Sequence, residues 1–167
     1  MTEKERSFEE RINALEAIEE IKRVKANYAQ YLDNGYDPEG IASLFSSEGK
    51  WVIEGVAIQG TGAIKEQCKK LIRVQPWSCH NITPSIIDIS DDGLHAEGSF
   101  YMLTFLTMRN NEGMDEAYFL SGIFKDKFIK ENGKWYFEKV EAFVQQAAPW
   151  TKGWIEGGFA KGFFDIE

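Results

Sequence analysis

The chain has little of what would fix a function at sight. Its 167 residues include two cysteines, Cys68 and Cys79, whose spacing makes neither a disulfide framework nor a zinc-ligand pattern. Histidine is as scarce, with only His80 and His95. No apolar run reaches the ~18 residues that a membrane-crossing helix needs. The opening stretch, MTEKERSFEERINALEAIEEIKR, is charged and lacks an apolar centre. It does not read as a signal peptide, so the expected location is the cytoplasm. Nineteen basic residues against 27 acidic ones leave a net charge of −8, and the basic residues form no long run. That argues against nucleic acid as a partner, because phosphate backbones call for clustered cations.

Aromatic residues, by contrast, are plentiful: twelve Phe, six Tyr and five Trp, 14% of the chain. Such a share suits an apolar pocket or a flat oligomer interface, and equally an aromatic-rich core. The length suits one domain over residues 1–167, with a core of about 7–146. Residues 147–167 would be a C-terminal flap or arm, because the stretch PWTKGWIEGGFAKGFF is too rich in Trp, Phe and Gly for a regular helix.

Periodicity predicts a long helix over 7–34, started by a capping box at Ser7 and Glu10. Phe8, Ile12, Leu15, Ile18, Ile21, Val24, Tyr28 and Leu32 form its apolar stripe, and Glu, Lys and Arg fill the other face. Asn34-Gly35 stops it. Asp37-Pro38 opens a short helix to Phe45, with Asp37 as cap. A turn over 46–49 and a strand over 50–56 follow, then a third helix over 62–72 capped by Thr61. From Ser78 onward the chain reads as four long strands: 78–90, 94–108, 115–130 and 134–146. Pro84 marks an edge or bulge, and Gly122 a bend. The fold class is α+β: a curved antiparallel sheet with the helices to one side. Strands this long must curl, and the long helix then lies across a cone-shaped cavity. In 94–108, Ala96, Gly98, Phe100, Met102 and Thr104 share one face, and the opposite face also turns apolar. A sheet apolar on both faces is covered on both, so a second copy of the chain is expected on the outside, as a homodimer or a trimer.

The chemistry centres on NYAQYLDNGYD, residues 27–37. Tyr28 shares the buried stripe. Asp33 is rotated roughly 140° from it in an ideal helix, and the helix dipole disfavours a carboxylate there, so a local partner should compensate. His80, where the third helix meets the first long strand, could be that partner: imidazole moves protons near neutral pH, and a carboxylate fixes its tautomer. A packed tyrosine, a solvated aspartate and a structural histidine account for the same residues without chemistry. His95, beside a turn, reads as a surface residue.

Four stretches, IKRVKANYAQYLDNGYDPEGIASLF, WVIEGVAIQGTGAIKE, HNITPSIIDI and GKWYFEKVEAF, resemble the SnoaL-like branch of the nuclear transport factor 2-like superfamily. Within it, Tyr28, Asp33 and His80 match the tyrosine, aspartate and histidine of bile-acid 7α-dehydratase, which scytalone dehydratase also uses. Thr104 and Gln145 stand where the bile-acid enzyme has an aspartate and an arginine, so its substrate anchor is not reproduced. The resemblance implies a cofactor-independent, metal-free lyase or isomerase acting on a small hydrophobic oxygenated ring compound. His80 would be the base, Asp33 its support and Tyr28 the hydrogen-bond donor. Trp51, Trp77, Phe100, Met102, Tyr118, Phe143 and Trp150 are the expected apolar wall, with Tyr31 beside them. A non-catalytic binding protein is one alternative. An accessory subunit like the small subunit of ring-hydroxylating dioxygenases is another.

Overall fold

The computed structural model describes residues 7–110 and 112–158. Helix α1 (Phe8–Asp33) starts as the sequence predicts: the Glu10 amide donates to the Ser7 hydroxyl, and the Ser7 amide donates to the Glu10 carboxylate. Its buried face is Ala17, Ile21, Lys25, Tyr28 and Leu32. The single apolar stripe expected from the sequence divides. Phe8, Ile12 and Leu15 are 78%, 38% and 60% exposed. In an ideal helix they point roughly 120–180° away from Ile21, so the early apolar residues do not share the later ones' face.

Helix α2 (Pro38–Ser43) is capped by Asp37, whose carboxylate accepts from the Glu39 and Gly40 amides at 3.1 and 3.0 Å. It ends before Phe45, which opens strand β1 (Phe45–Ile53); residues 46–49 are strand rather than turn. Phe45 is buried and pairs with Phe137, a long-range contact that outweighs local preference. A turn at Glu54-Gly55, both with positive φ, sends the chain back as β2 (Val56–Gln59), where one unbroken strand was expected. Helix α3 (Thr61–Val74) has Gly60 at its cap, and Thr61, the expected cap, is its first residue.

The meander follows as β3 (Trp77–Ile89), β4 (His95–Arg109), β5 (Asp115–Glu131) and β6 (Lys134–Pro149), and a short α4 (Gly153–Glu156) closes the described chain. β6 runs past the expected end at Gln146 because Ala147 and Ala148 pair with β5 and are buried. The rest of the expected flap, residues 159–167, lies outside the described residues. The six strands lie in the order β2-β1-β6-β5-β4-β3, with β1 and β6 parallel and the other pairs antiparallel. β3 is an edge, and its register shifts between Ile82 and Ser85, on either side of Pro84. A second shift falls between Ser121 and Gly122. A Cβ on Gly122 would sit 2.2 Å from the Phe143 carbonyl oxygen, so the close strand approach there admits only glycine. Bulges of this kind bend long strands, and the sheet curls without closing.

The concave face takes alternate residues of β4, with Phe100, Met102, Thr104 and Leu106 buried and Tyr101 and Leu103 outside. Helix α1 lies over β3 and β6. Deep in the core the Lys25 ammonium meets the Asp126 carboxylate at 2.7 Å, both side chains almost fully enclosed. The lysine nitrogen is 3.4 Å from the Phe124 ring centre and 4.8 Å from that of Tyr28. The sequence reading has every lysine of α1 on the polar face, and Lys25 corrects it. Among the described residues no helix is long and apolar enough to cross a membrane.

Candidate active site

Helix α1 ends where β3 begins to run beneath it. As an edge strand, β3 has backbone N–H groups that no neighbouring strand takes up. The His80 amide donates to both Asp33 carboxylate oxygens, at 3.0 and 2.9 Å. The His80 ring returns to the same carboxylate, Nδ1 to Oδ1, at 2.7 Å. The Ser78 hydroxyl adds a bond of 3.2 Å to Asp33 and lies 3.4 Å from the Leu32 carbonyl. These donors offset the unfavourable dipole at the helix end. Burial pushes the Asp33 carboxyl up, but the bonds from the His80 ring, the His80 amide and Ser78, with the histidine's charge, hold it below the ordinary carboxylate value. Asp33 therefore meets His80 from behind: its side chain is 30% exposed and that of His80 11%.

His80 lines a cavity of about 40 Å³ inside the curl. Leu32, Ile53, Leu106, Leu120 and Val144 give an aliphatic wall, and Tyr28, Trp51 and Phe124 an aromatic one. Tyr28 is buried, edge-on to the rings of Trp51, Phe124 and Phe137. Burial drives its phenol well above the ordinary value, Asp126 adds to the rise, and a hydrogen bond with Trp51 eases it only partly. The group stays protonated.

Tyr36 also lines the cavity, and sequence reasoning missed it. Gly35 and Tyr36 both have positive φ, 71° and 53°. The Tyr36 amide bonds the Leu32 carbonyl at 3.0 Å, and the left-handed step turns the ring back inward. Its hydroxyl donates to the fully buried Gln75 side-chain oxygen at 2.5 Å. A tyrosine directly after an Asn-Gly stop was the available signal, since a residue forced into that conformation marks a constrained position.

Of the wall predicted from sequence, Trp51, Met102 and Thr104 face the cavity and the others do not. Phe143 alternates with the inward Ala142 and Val144, so it points outward, 44% exposed under Lys125. Trp77 flanks the buried Ser78 and is likewise outside. Gln145 is the unpaired residue at the Ser121/Gly122 register shift and is exposed. Trp150 stacks edge-on with Phe105 beyond the sheet, and Tyr118 bonds Glu116 at 3.0 Å. Phe100 is buried deeper, against Phe128. Tyr31 lies against α2, where a Cβ on Gly40 would come within 2.6 Å of its ring.

Elsewhere, an open groove of about 900 Å³ separates the first half of α1 from the β3–β4 and β5–β6 turns. It is lined by Glu10, Glu16, Glu20, Asp91 and Asp92 with Lys130 and gathers no convergent chemistry. His95 sits on the β3–β4 side, half exposed and 2.8 Å from Asp92. Cys68 is buried, its thiol pushed up to about 12 by that burial, so it is not a nucleophile. Among the described residues no group of three or more His, Cys, Asp or Glu side chains could hold a metal.

Comparison with known proteins agrees with this geometry at the level of fold. A scytalone dehydratase-like protein of Novosphingobium aromaticivorans DSM 12444 superposes with a TM-score of 0.72 at 19% identity, covering 83% of this chain and 90% of that one. A hexachlorocyclohexane dehydrochlorinase of type 2 gives 0.75 at 14% identity, over 90% and 97%. An aromatic ring hydroxylase-like protein of Novosphingobium aromaticivorans gives 0.72 at 14%, over 81% and 94%. No sequence match was found among curated proteins. The SnoaL-like domain matches residues 13–141, most of the described chain, and the protein belongs to that family, within the nuclear transport factor 2-like superfamily.

Proposed function

We propose that the protein is a cofactor-independent lyase or isomerase acting on a small, neutral, oxygenated ring compound. The observation that carries the reading is the 2.7 Å contact between Asp33 and His80 on the wall of an apolar cavity. With Nδ1 committed to the carboxylate, Nε2 is the nitrogen available to take a proton, and Asp33 stabilises the imidazolium that results. His80 removes a proton from carbon next to a carbonyl. The protonated Tyr28 phenol donates to the developing enolate oxygen. A hydroxyl on the neighbouring carbon then leaves with its bonding pair and departs as water after taking a proton, which gives the alkene. Reprotonation of the enolate at another carbon gives an isomer. Two fold relatives named for eliminations, a dehydratase-like protein and a dehydrochlorinase, support this class.

The test is a panel of neutral β-hydroxy ring ketones, followed by mass spectrometry for loss of water and by NMR for isomers. Wild type is expected to convert at least one member, and His80→Ala none, with an unchanged circular dichroism spectrum. Equal conversion by both proteins would remove His80 as the base.

One observation favours a second reading. A cavity of about 40 Å³ has room for only a few water molecules, so a ring ligand must displace side chains. A filled cone suits an accessory subunit, and copurification with a larger partner chain would support that role. In either case the outer sheet face, where Tyr101, Leu103 and Phe143 are 63%, 40% and 44% exposed, is proposed to pack against a second copy. The cross-strand row Tyr101–Ile123–Phe143 gives it a continuous apolar strip.

A further inference from the structure

Thr104 is paired with His80 across β3 and β4, so the two side chains leave the sheet on the same face as direct neighbours. The threonine is 1% exposed and lines the cavity, and its hydroxyl has no hydrogen-bond partner among the described residues. Around it are Met102, Leu106 and Leu120, which offer nothing polar from their side chains. A buried hydroxyl without a partner is destabilising, and valine would fill the same volume without that penalty. Of the other polar groups of the wall, Tyr36 bonds Gln75, His80 Nδ1 bonds Asp33 and the Tyr28 oxygen accepts from Trp51, and none of these bonds reaches Thr104.

We propose that Thr104 recognises the ligand's oxygen, and that the ligand is a neutral molecule presenting a hydroxyl or carbonyl to Oγ1 beside His80. The threonine hydroxyl both donates and accepts, so either oxygen type satisfies it. Among the described residues no lysine or arginine lines the cavity, so a carboxylate or phosphate there has no counter-charge from them. An oxygen held at Thr104 sets the carbon that bears it, or the next one, against the histidine. A wall built to bond an oxygen discriminates sharply against an analogue lacking it, because its own polar group is then left unpaired. The proposal rests on the reading above only in taking this cavity as the ligand site, and it holds for a binder as for a lyase.

The experiment compares wild type, Thr104→Val and Thr104→Ser against oxygen/methyl probe pairs: phenol and toluene, cyclohexanol and methylcyclohexane, 2-naphthol and 2-methylnaphthalene. Binding is read by protein-observed methyl NMR, with no turnover required. For at least one pair, wild type is expected to bind the oxygen member about tenfold more tightly. Thr104→Val should lose that preference and leave the methyl member unchanged, and Thr104→Ser should keep it. In the absence of ligand, Thr104→Val should also raise Tm by about 2–4 °C, having removed the unpaired hydroxyl. The proposal is overturned by no preference in any pair, by equal weakening of both members in Thr104→Val, or by a Tm below wild type in that variant. A preference that depends on Thr104 in a protein with no turnover would sink the lyase and keep this assignment. Turnover with no such preference would do the reverse.

Discussion

Helix α1 carries two residues, Lys25 and Asp33, that each pair with a strand residue of opposite potential charge at 2.7 Å. The deep pair, Lys25 with Asp126, is sealed among aromatic rings, with side chains 3% and 0% exposed. Burial pushes the lysine down and the aspartate up, and each partner's charge pulls the other part of the way back. The rim pair, Asp33 with His80, stays in touch with solvent and borders the cavity. Its carboxylate is held by a backbone amide and a serine as well as by its partner. The same helix thus places one charge pair deep in the core and the other on the border of the cavity. A sealed pair can do no chemistry on a ligand it cannot reach, and a rim pair contributes little to stability.

Breaking the deep pair should have the largest effect on stability. Lys25→Met leaves the Asp126 carboxylate buried alone and is expected to cost about 3–5 kcal/mol in urea unfolding. Lys25→Met with Asp126→Leu should recover most of that loss. A single variant as stable as wild type would mean that the deep pair is not what holds the core there.

The rim pair should behave in the opposite way. Asp33→Asn is expected to change stability by under about 1 kcal/mol at pH 7, yet to lower any turnover by about 10²–10⁴-fold. The pH dependence follows from the sign of the shift. The folded Asp33 pKa lies below its unfolded value of about 3.9, so its contribution is complete well above pH 4 and is lost as pH falls through the folded value. The stability gap between wild type and Asp33→Asn should therefore shrink as pH falls below about 4. A gap that widens as pH falls from about 4 toward 2 would contradict the assignment.

How far the sequence revealed this contrast depends on the kind of signal each residue left. The capping box at Ser7, the cap at Asp37 and the β4 alternation rest on local chemistry, and all are present in the structure. The Asp33–His80 meeting was a conjecture from residue type and resemblance. Its means were hidden, because the carboxylate is recruited by the free backbone N–H of an edge strand, and strand order cannot be read from periodicity. Lys25 was invisible for a similar reason: a lysine on a helix face reads as solvated until a buried aspartate far along the chain, Asp126, is brought beside it. The wall residues Phe143, Trp77 and Gln145 were placed inside because aromatic or polar identity was used where strand parity decides. For Phe143 and Gln145 the bulge at Gly122 sets that parity, and it is a tertiary feature.

Smaller effects sharpen the comparison further. Tyr36→Phe removes the bond to Gln75 beside the rim pair and is expected to cost about 1–2 kcal/mol, measured by thermal unfolding. Smallest in folding terms is the outer face: Tyr101→Ser with Phe143→Ser should leave monomer stability within about 0.5 kcal/mol, since both side chains are largely exposed. The same pair should shift sedimentation from a dimer toward a monomer, and wild type that sediments as a monomer would remove the proposed second copy.

The central claim is that the rim pair is a working base in a ligand cavity. Hydrogen–deuterium exchange at carbon in D₂O tests it without knowledge of the leaving group. Neutral ring ketones incubated with the protein should take up deuterium next to the carbonyl well above the buffer rate. His80→Ala should return the rate to that of buffer. Exchange at the buffer rate with wild type across the panel, or an equal rate with His80→Ala, would contradict the account.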